Sequence, residues 1–280
     1  MSSRALVVLG DGAQAAFCSG VVAGLAEQGV VWQEGAAAGL AAQVALLALA
    51  GEALEGARRF LRMAEEGAAL FSAAGAPASA EARKVGWLAL PDVYRVPGWL
   101  DPSVLEEYLA PDWALVRRVN LWVAWENLVS GERGWIPLRQ GEQLLVTAAF
   151  PWGWPAREGI WGGVGACAEL EPPPLGSEAV DLVCGFPVPA VERPGQGAAL
   201  IGANPRREEL VAARTAVRWA SHWPQVRVFA PQQRAYLDWS QRDSALLGVE
   251  YPLPLEQNGE LMAQLVRFGE FVASRGGERL

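Results

Sequence analysis

The first fifty residues alternate between short apolar runs and longer apolar helical stretches. Arg4 to Leu9 (RALVVL) is a β-branched run ending in a glycine-bearing turn, Gly10-Asp11-Gly12-Ala13, and an apolar stretch of helical character follows from Ala15 to Gln28. Gly29 is placed to stop that helix. A second run, Val30-Val31-Trp32, predicts another strand. Gly35-Ala36-Ala37-Ala38-Gly39 then reads as a turn, from which an Ala/Leu helix runs to Ala50. Strand, helix, strand, helix is the opening of a parallel sheet covered by helices.

The alternation continues downstream. Glu52 to Glu66 has an amphipathic helical pattern, and Gly67 to Ala82, rich in Ala, Gly and Ser, reads as a connection. Short helices are predicted over Pro102 to Leu109 and Gly141 to Phe150. Strands are predicted over Arg118 to Trp125, Gly134 to Leu138, Ala179 to Phe186, Ala198 to Ile201 and Val226 to Phe229. Helices over Arg206 to Ser221 and Leu261 to Ser274 complete the pattern. With 280 residues, 51% of them hydrophobic, the chain can bury a sizeable core. The expectation is one α/β domain over residues 1–280.

Charge and rare residues narrow the chemistry. A formal charge of −8 repels phosphate backbones and anionic lipid headgroups, so nucleic acid is not an expected partner. The apolar run before Asp11 is too short for a signal-peptide core. Gly35 to Gly51, the longest uncharged stretch, falls short of the roughly 20 apolar residues of a spanning helix and reads as a buried helix. The expectation is a cytoplasmic protein without a membrane span. Cys18, Cys167 and Cys184 are odd in number and widely spaced, which suggests neither a disulfide framework nor a zinc site. His222 is the only histidine and Lys84 the only lysine, so no metal or cofactor is expected.

Two glycine-containing turns about 25 residues apart, each between a strand and a helix, resemble the opening motifs of the patatin-like phospholipases. In that family a G-G-G-x-[RK]-G loop supplies backbone N–H groups to an oxyanion, and the corresponding run is Gly10-Asp11-Gly12-Ala13-Gln14-Ala15. Gly20-Val21-Val22-Ala23-Gly24-Leu25 is similar to the family's G-V-L-x-A-L. The family's G-x-S-x-G elbow matches Gly35-Ala36-Ala37-Ala38-Gly39, with Ala37 at the nucleophile's place. Its third motif, D-G-G or D-G-A, matches Trp161-Gly162-Gly163, with Trp161 at the place of the dyad aspartate. Gly176 to Asp181 is similar to the entry into the family's next strand. The resemblance covers residues 4 to 50 well and 140 to 186 loosely. It implies a three-layer α/β/α domain with a mainly parallel central sheet.

The resemblance also implies lost chemistry. Ala37 has no lone pair for attack, and the indole of Trp161 cannot accept a proton. Asp11 replaces a glycine of the oxyanion loop, Gln14 its basic residue and Ala15 its closing glycine. A carboxylate there opposes a developing oxyanion. An engineered Ser→Ala change at position 37 would not account for Trp161, Asp11 or Gln14. The site expected to survive as a ligand pocket comprises Gly10, Asp11, Gly12, Ala13, Gln14, Glu34, Gly35, Ala37, Gly39, Trp161 and Gly162, with Glu34 at the same end of the sheet as Asp11. Asp11 and Glu34 read either as solvated loop carboxylates or as a pair holding a cation.

Three functions follow from these expectations. One is a catalytically inactive patatin-type module that binds a lipid or acyl small molecule or regulates a partner. Another is a lipid ester hydrolase using other residues. The third is a structural subunit that pairs with itself or another protein. Cys18 and Cys167 read as buried small hydrophobes rather than displaced nucleophiles. His222 is placed at a helix end. Nine tryptophans between Trp87 and Trp161 read as core packing, or as the lining of an acyl pocket or interfacial surface.

Overall fold

The structure is a computed structural model that describes residues 3–12, 14–66, 113–127, 129–140, 160–186, 188, 207–231 and 255–277. The helices expected over Pro102 to Leu109 and Gly141 to Phe150, the strand over Ala198 to Ile201 and most of the tryptophan-rich segment lie outside these residues.

The described strands join in one mixed sheet of an α/β fold. In chain order they are β1 (Arg4–Leu9), β2 (Glu34–Ala38), β3 (Leu121–Asn127), β4 (Arg133–Pro137), β5 (Ile160–Trp161), β6 (Ala179–Cys184) and β7 (Gln225–Phe229). Their spatial order is β4-β3-β2-β1-β6-β7, with the two-residue β5 added to β3. Pairings from β3 through β7 along this path are parallel, whereas β4 and β5 run antiparallel to β3. Glu126 faces Arg133 on one edge of β3 and Trp161 on the other, so β5 continues the edge that β2 vacates.

Each face of the sheet has its own apolar cover. Helices α1 (Gln14–Glu27), α2 (Ala41–Leu49), α3 (Ala53–Glu65), α4 (Trp113–Val116) and α6 (Leu255–Ser274) pack with Leu6, Val8, Ala37, Val183 and Phe229. On the other face α5 (Arg207–Ala220) and the 3-10 turn Val164–Cys167 pack with Val7, Leu9, Ala36, Leu182 and Val228. The face thus alternates residue by residue along β1, the period-2 pattern of a strand buried on both sides.

β2 departs from expectation. The strand is Glu34–Ala38, not Val30 to Trp32, and Gly35 to Ala38 are strand residues rather than a turn. Val31 is 74% exposed in the preceding loop. β-propensity describes fit to a packed surface more than backbone preference. Here Ala36, Ala37 and Ala38 are buried, and the ladders to β1 and β3 make them a strand.

Two features fix the remaining geometry. α1 is buried over Gln14 to Leu25, and it approaches α6 so closely that a Cβ on Gly20 would overlap the Val266 carbonyl. At the amino end of the sheet, the fully buried Asp181 accepts from Arg4 Nη1 at 2.7 Å, Arg227 Nε at 2.7 Å, Arg227 Nη2 at 2.9 Å and Trp32 Nε1 at 2.9 Å. One carboxylate on β6 therefore ties β1, β7 and the loop before β2 together.

Three stability changes are expected. Gly20→Ala should destabilise by about 1–3 kcal/mol through overpacking, although Ala outranks Gly by about 1 kcal/mol in helix propensity. Gly56→Ala on α3 meets only Leu47 Cδ1 at 3.7 Å and should stabilise instead. Asp181→Asn should cost about 3–5 kcal/mol, the effect of breaking a buried ion pair by removing one partner. Urea denaturation of the three variants checks all of these.

Candidate functional site

The strand order reverses between β1 and β6: the chain passes from β1 outward to β2 and β3, then returns to the other side of β1. Ligands in open α/β sheets bind outside the carboxyl ends of strands at such a reversal. The turn after Leu9 stands at this place, and Gly185 N donates to Leu9 O at 2.8 Å beside it.

The first turn is closed by its own side chains. Gln14 N donates to Asp11 O at 2.9 Å, and Gln14 Oε1 accepts from Asp11 N at 3.0 Å. Gln14 thus satisfies the Asp11 amide in the turn that leads into α1. Gln14, expected in place of a basic loop residue, is buried and serves the start of α1.

The second turn lies against the first. Gly10 N donates to Ala38 O at 3.2 Å, and Ala41 N donates to Gly10 O at 2.9 Å. The residue in the left-handed region is Gly39, at φ +77, and any Cβ there would overlap Asp11 Oδ1 and Gly10 O. Glycine is thus required twice over, for its dihedral and for the close approach. Ala37 lies two residues earlier, inside β2, paired with Val8 and Val123, with its side chain in the helix-covered core. The expected elbow at Ala37 is corrected: an alanine relaxes into the strand, and the bend falls on the glycine that tolerates it. Gly35 is likewise in β2, where its amide donates to Asn120 O at 2.9 Å.

The third segment meets the other two through its backbone. Gly39 N donates to Gly162 O at 2.8 Å, and Val164 N donates to the Asp11 carboxylate, 3.1 Å from Oδ1 and 2.9 Å from Oδ2. Trp161 pairs with Glu126 in β5, while its side chain and Ala13 lie outside the described residues. Gly10, Asp11, Gly12, Gln14, Gly39 and Gly162 are therefore gathered at one place.

Glu34 is not among them. It begins β2 at the amino end of the sheet, where its Oε1 accepts from Ser177 N and Ser177 Oγ at 2.7 Å each. An extended strand advances about 3.3 Å per residue, so β2 separates Glu34 from Asp11 and rules out the carboxylate pair. His222 also lies away from the site, exposed beyond the end of α5, with its ring edge-on to Trp223.

Glu126 was not singled out from the sequence. Its buried carboxylate, at the carboxyl end of β3, accepts from Arg133 Nη2 at 3.0 Å, and Arg133 Nη1 donates to Ala168 O at 3.3 Å. The readable signal is opposite charge on two residues directly across a hairpin, Glu126 and Arg133. The pair anchors the 3-10 segment against β3 and β4.

Beside the second turn, a shallow apolar dimple of about 10 Å³, room for one water, lies between α2 and α3, lined by Leu40, Gln43, Val44, Leu47, Arg59 and Phe60. Among the described residues no group of three or more His, Cys, Asp or Glu is placed to hold a metal ion, and no helix is long and apolar enough to cross a membrane.

Cys18, Cys167 and Cys184 are fully buried, and burial pushes each thiol well above its ordinary value. The Asp11 charge raises Cys167 further, and Cys184 is raised by Cys18 and Cys167. A raised thiol value keeps the proton in the folded state. These groups leave stability unchanged below the ordinary value of 9.0 and diminish it as pH rises above, where the unfolded chain ionises first. At pH 8 a thiol reagent should label none of the three in the native protein and all three in guanidinium.

No protein-family model matches the chain, and no match to it is found among the curated proteins.

Proposed function

We propose that this chain is a patatin-type α/β/α module, a single domain over residues 1–280, that binds or regulates rather than hydrolyses. The observation that carries the reading is the engagement of Asp11. Its carboxylate takes the Val164 amide, and the Gly162 carbonyl takes the Gly39 amide. In the loop matched to the family's oxyanion loop, Gly10 N is likewise taken by the Ala38 carbonyl and Asp11 N by Gln14 Oε1. Internal acceptors thus hold amides that hydrolysis would need for a substrate's oxyanion.

The buried strand position of Ala37 supports the same reading, since a nucleophile there would point into packed helices. The ligand class that the family resemblance suggests is a lipid or acyl small molecule.

The test is a panel of short and long p-nitrophenyl esters with the matching free acids. No ester should turn over above the blank, and at least one acid should raise Tm. Ester turnover by the wild-type chain would overturn the non-hydrolytic reading, and the absence of a Tm shift with every acid would overturn the acyl ligand. Ala37→Ser with Trp161→Asp should also give no measurable esterase activity. A missing oxyanion donor alone costs about 2.7–4 kcal/mol of transition-state stabilisation. Activity near that of a working hydrolase in this double variant would show that the donors are free.

A further inference from the structure

At the amino end of the sheet Asp181 balances only one of the two guanidinium charges that meet on it. Arg4 Nη1 and Arg227 Nε both donate to Oδ1 at 2.7 Å, so the two cations are held side by side on one oxygen. Arg227 Nη2 and Trp32 Nε1 take Oδ2. A carboxylate has about four acceptor positions, and all four are used. Each guanidinium has five donors, and most of these remain for another acceptor.

No second carboxylate among the described residues pairs with either arginine. Glu34 is engaged with Ser177 and begins a strand whose alternate residues, Ala36 and Ala38, belong to the opposite face from Leu6 and Val8, the face that Arg4 shares. On the helices that cover the arginine face, Glu27 and Glu270 act on one another and on Arg267. The side chains of Arg4 and Arg227 are 24% and 27% exposed, so part of each reaches solvent while the pair stays recessed. The Arg227 guanidinium also lies over the Phe229 ring, 5.4 Å from its centroid, which holds it in place.

We propose that Arg4 and Arg227 form a binding site for a small free oxyanion, a phosphate, sulfate or carboxylate group, that completes an ion quartet opposite Asp181. Planar guanidiniums match such anions with paired N–H groups, and partial burial reduces screening by salt. Partial exposure leaves both guanidiniums within reach of a small anion, and the chain's charge of −8 opposes an extended anionic surface. The site is separate from the carboxyl-end turns and does not rest on their reading.

Equilibrium dialysis of radiolabelled inorganic phosphate, with ionic strength held constant by chloride, tests this. The wild-type chain should bind one phosphate saturably. Arg4→Gln keeps the bidentate Arg227–Asp181 pair and should weaken binding tenfold or more, while Arg117→Gln, at an exposed position, makes the same charge change and should leave binding unaltered. Absence of saturable phosphate binding, equal loss in both variants, or binding to phosphatidylglycerol vesicles without binding to phosphate would overturn the proposal. Wild-type crystals grown with selenate supply a readout independent of any variant: an anomalous peak within hydrogen-bond reach of both guanidiniums is expected, and its absence there would also overturn it.

Discussion

A carboxylate with no solvent contact is costly unless its lone pairs are met by charged or strongly polar donors. Asp181 meets this condition with four hydrogen bonds drawn from β1, β7 and the loop before β2. The consequence reaches beyond the pair energies. By holding the Trp32 indole in the core, Asp181 uses up the loop at residues 30 to 33. Gln33 N then donates to Arg4 O at 3.2 Å, and β2 can begin only at Glu34. Starting there, the strand ends at Ala38 and the bend falls on Gly39.

This displacement explains what the sequence reveals and what it conceals. The helices α1, α3 and α5 and the strands β1, β6 and β7 lie within a few residues of their apolar patterns, because each pattern is written by the surface on which the element packs. β2 is hidden because an Ala-Gly run carries no strand signature of its own, and it is the pairing with β1 and β3 that makes it a strand. β5 is hidden because two residues have no period. The partners of Asp181 come from positions 4, 32 and 227, and no local spacing can announce such an assembly.

At the carboxyl ends the sequence is legible as place but not as chemistry. Three glycine-bearing segments do meet, through Gly10 with Ala38 and Gly39 with Gly162. The effect of Asp11 is the reverse of what a substrate-facing carboxylate would have. It satisfies the Val164 amide and occupies the space that glycine at position 39 leaves open. A residue that looks like damage to an oxyanion loop is thereby a fastening between the turn before α1 and the Val164–Cys167 turn.

The two ends of the sheet consequently differ in what remains available to a ligand. At the carboxyl end, the Gly10, Asp11, Gly39 and Val164 amides are paired with internal acceptors, so an incoming anion must displace bonds already made, with no gain in their number. At the amino end, two guanidiniums share one saturated carboxylate, so an incoming anion displaces water rather than internal bonds and relieves the repulsion between two cations. Hydrogen bonds to charged groups contribute about 1.5–3 kcal/mol net, against roughly half of that for neutral ones. The balance of donors to acceptors, rather than the position conventional for an α/β sheet, therefore decides which end has binding capacity left.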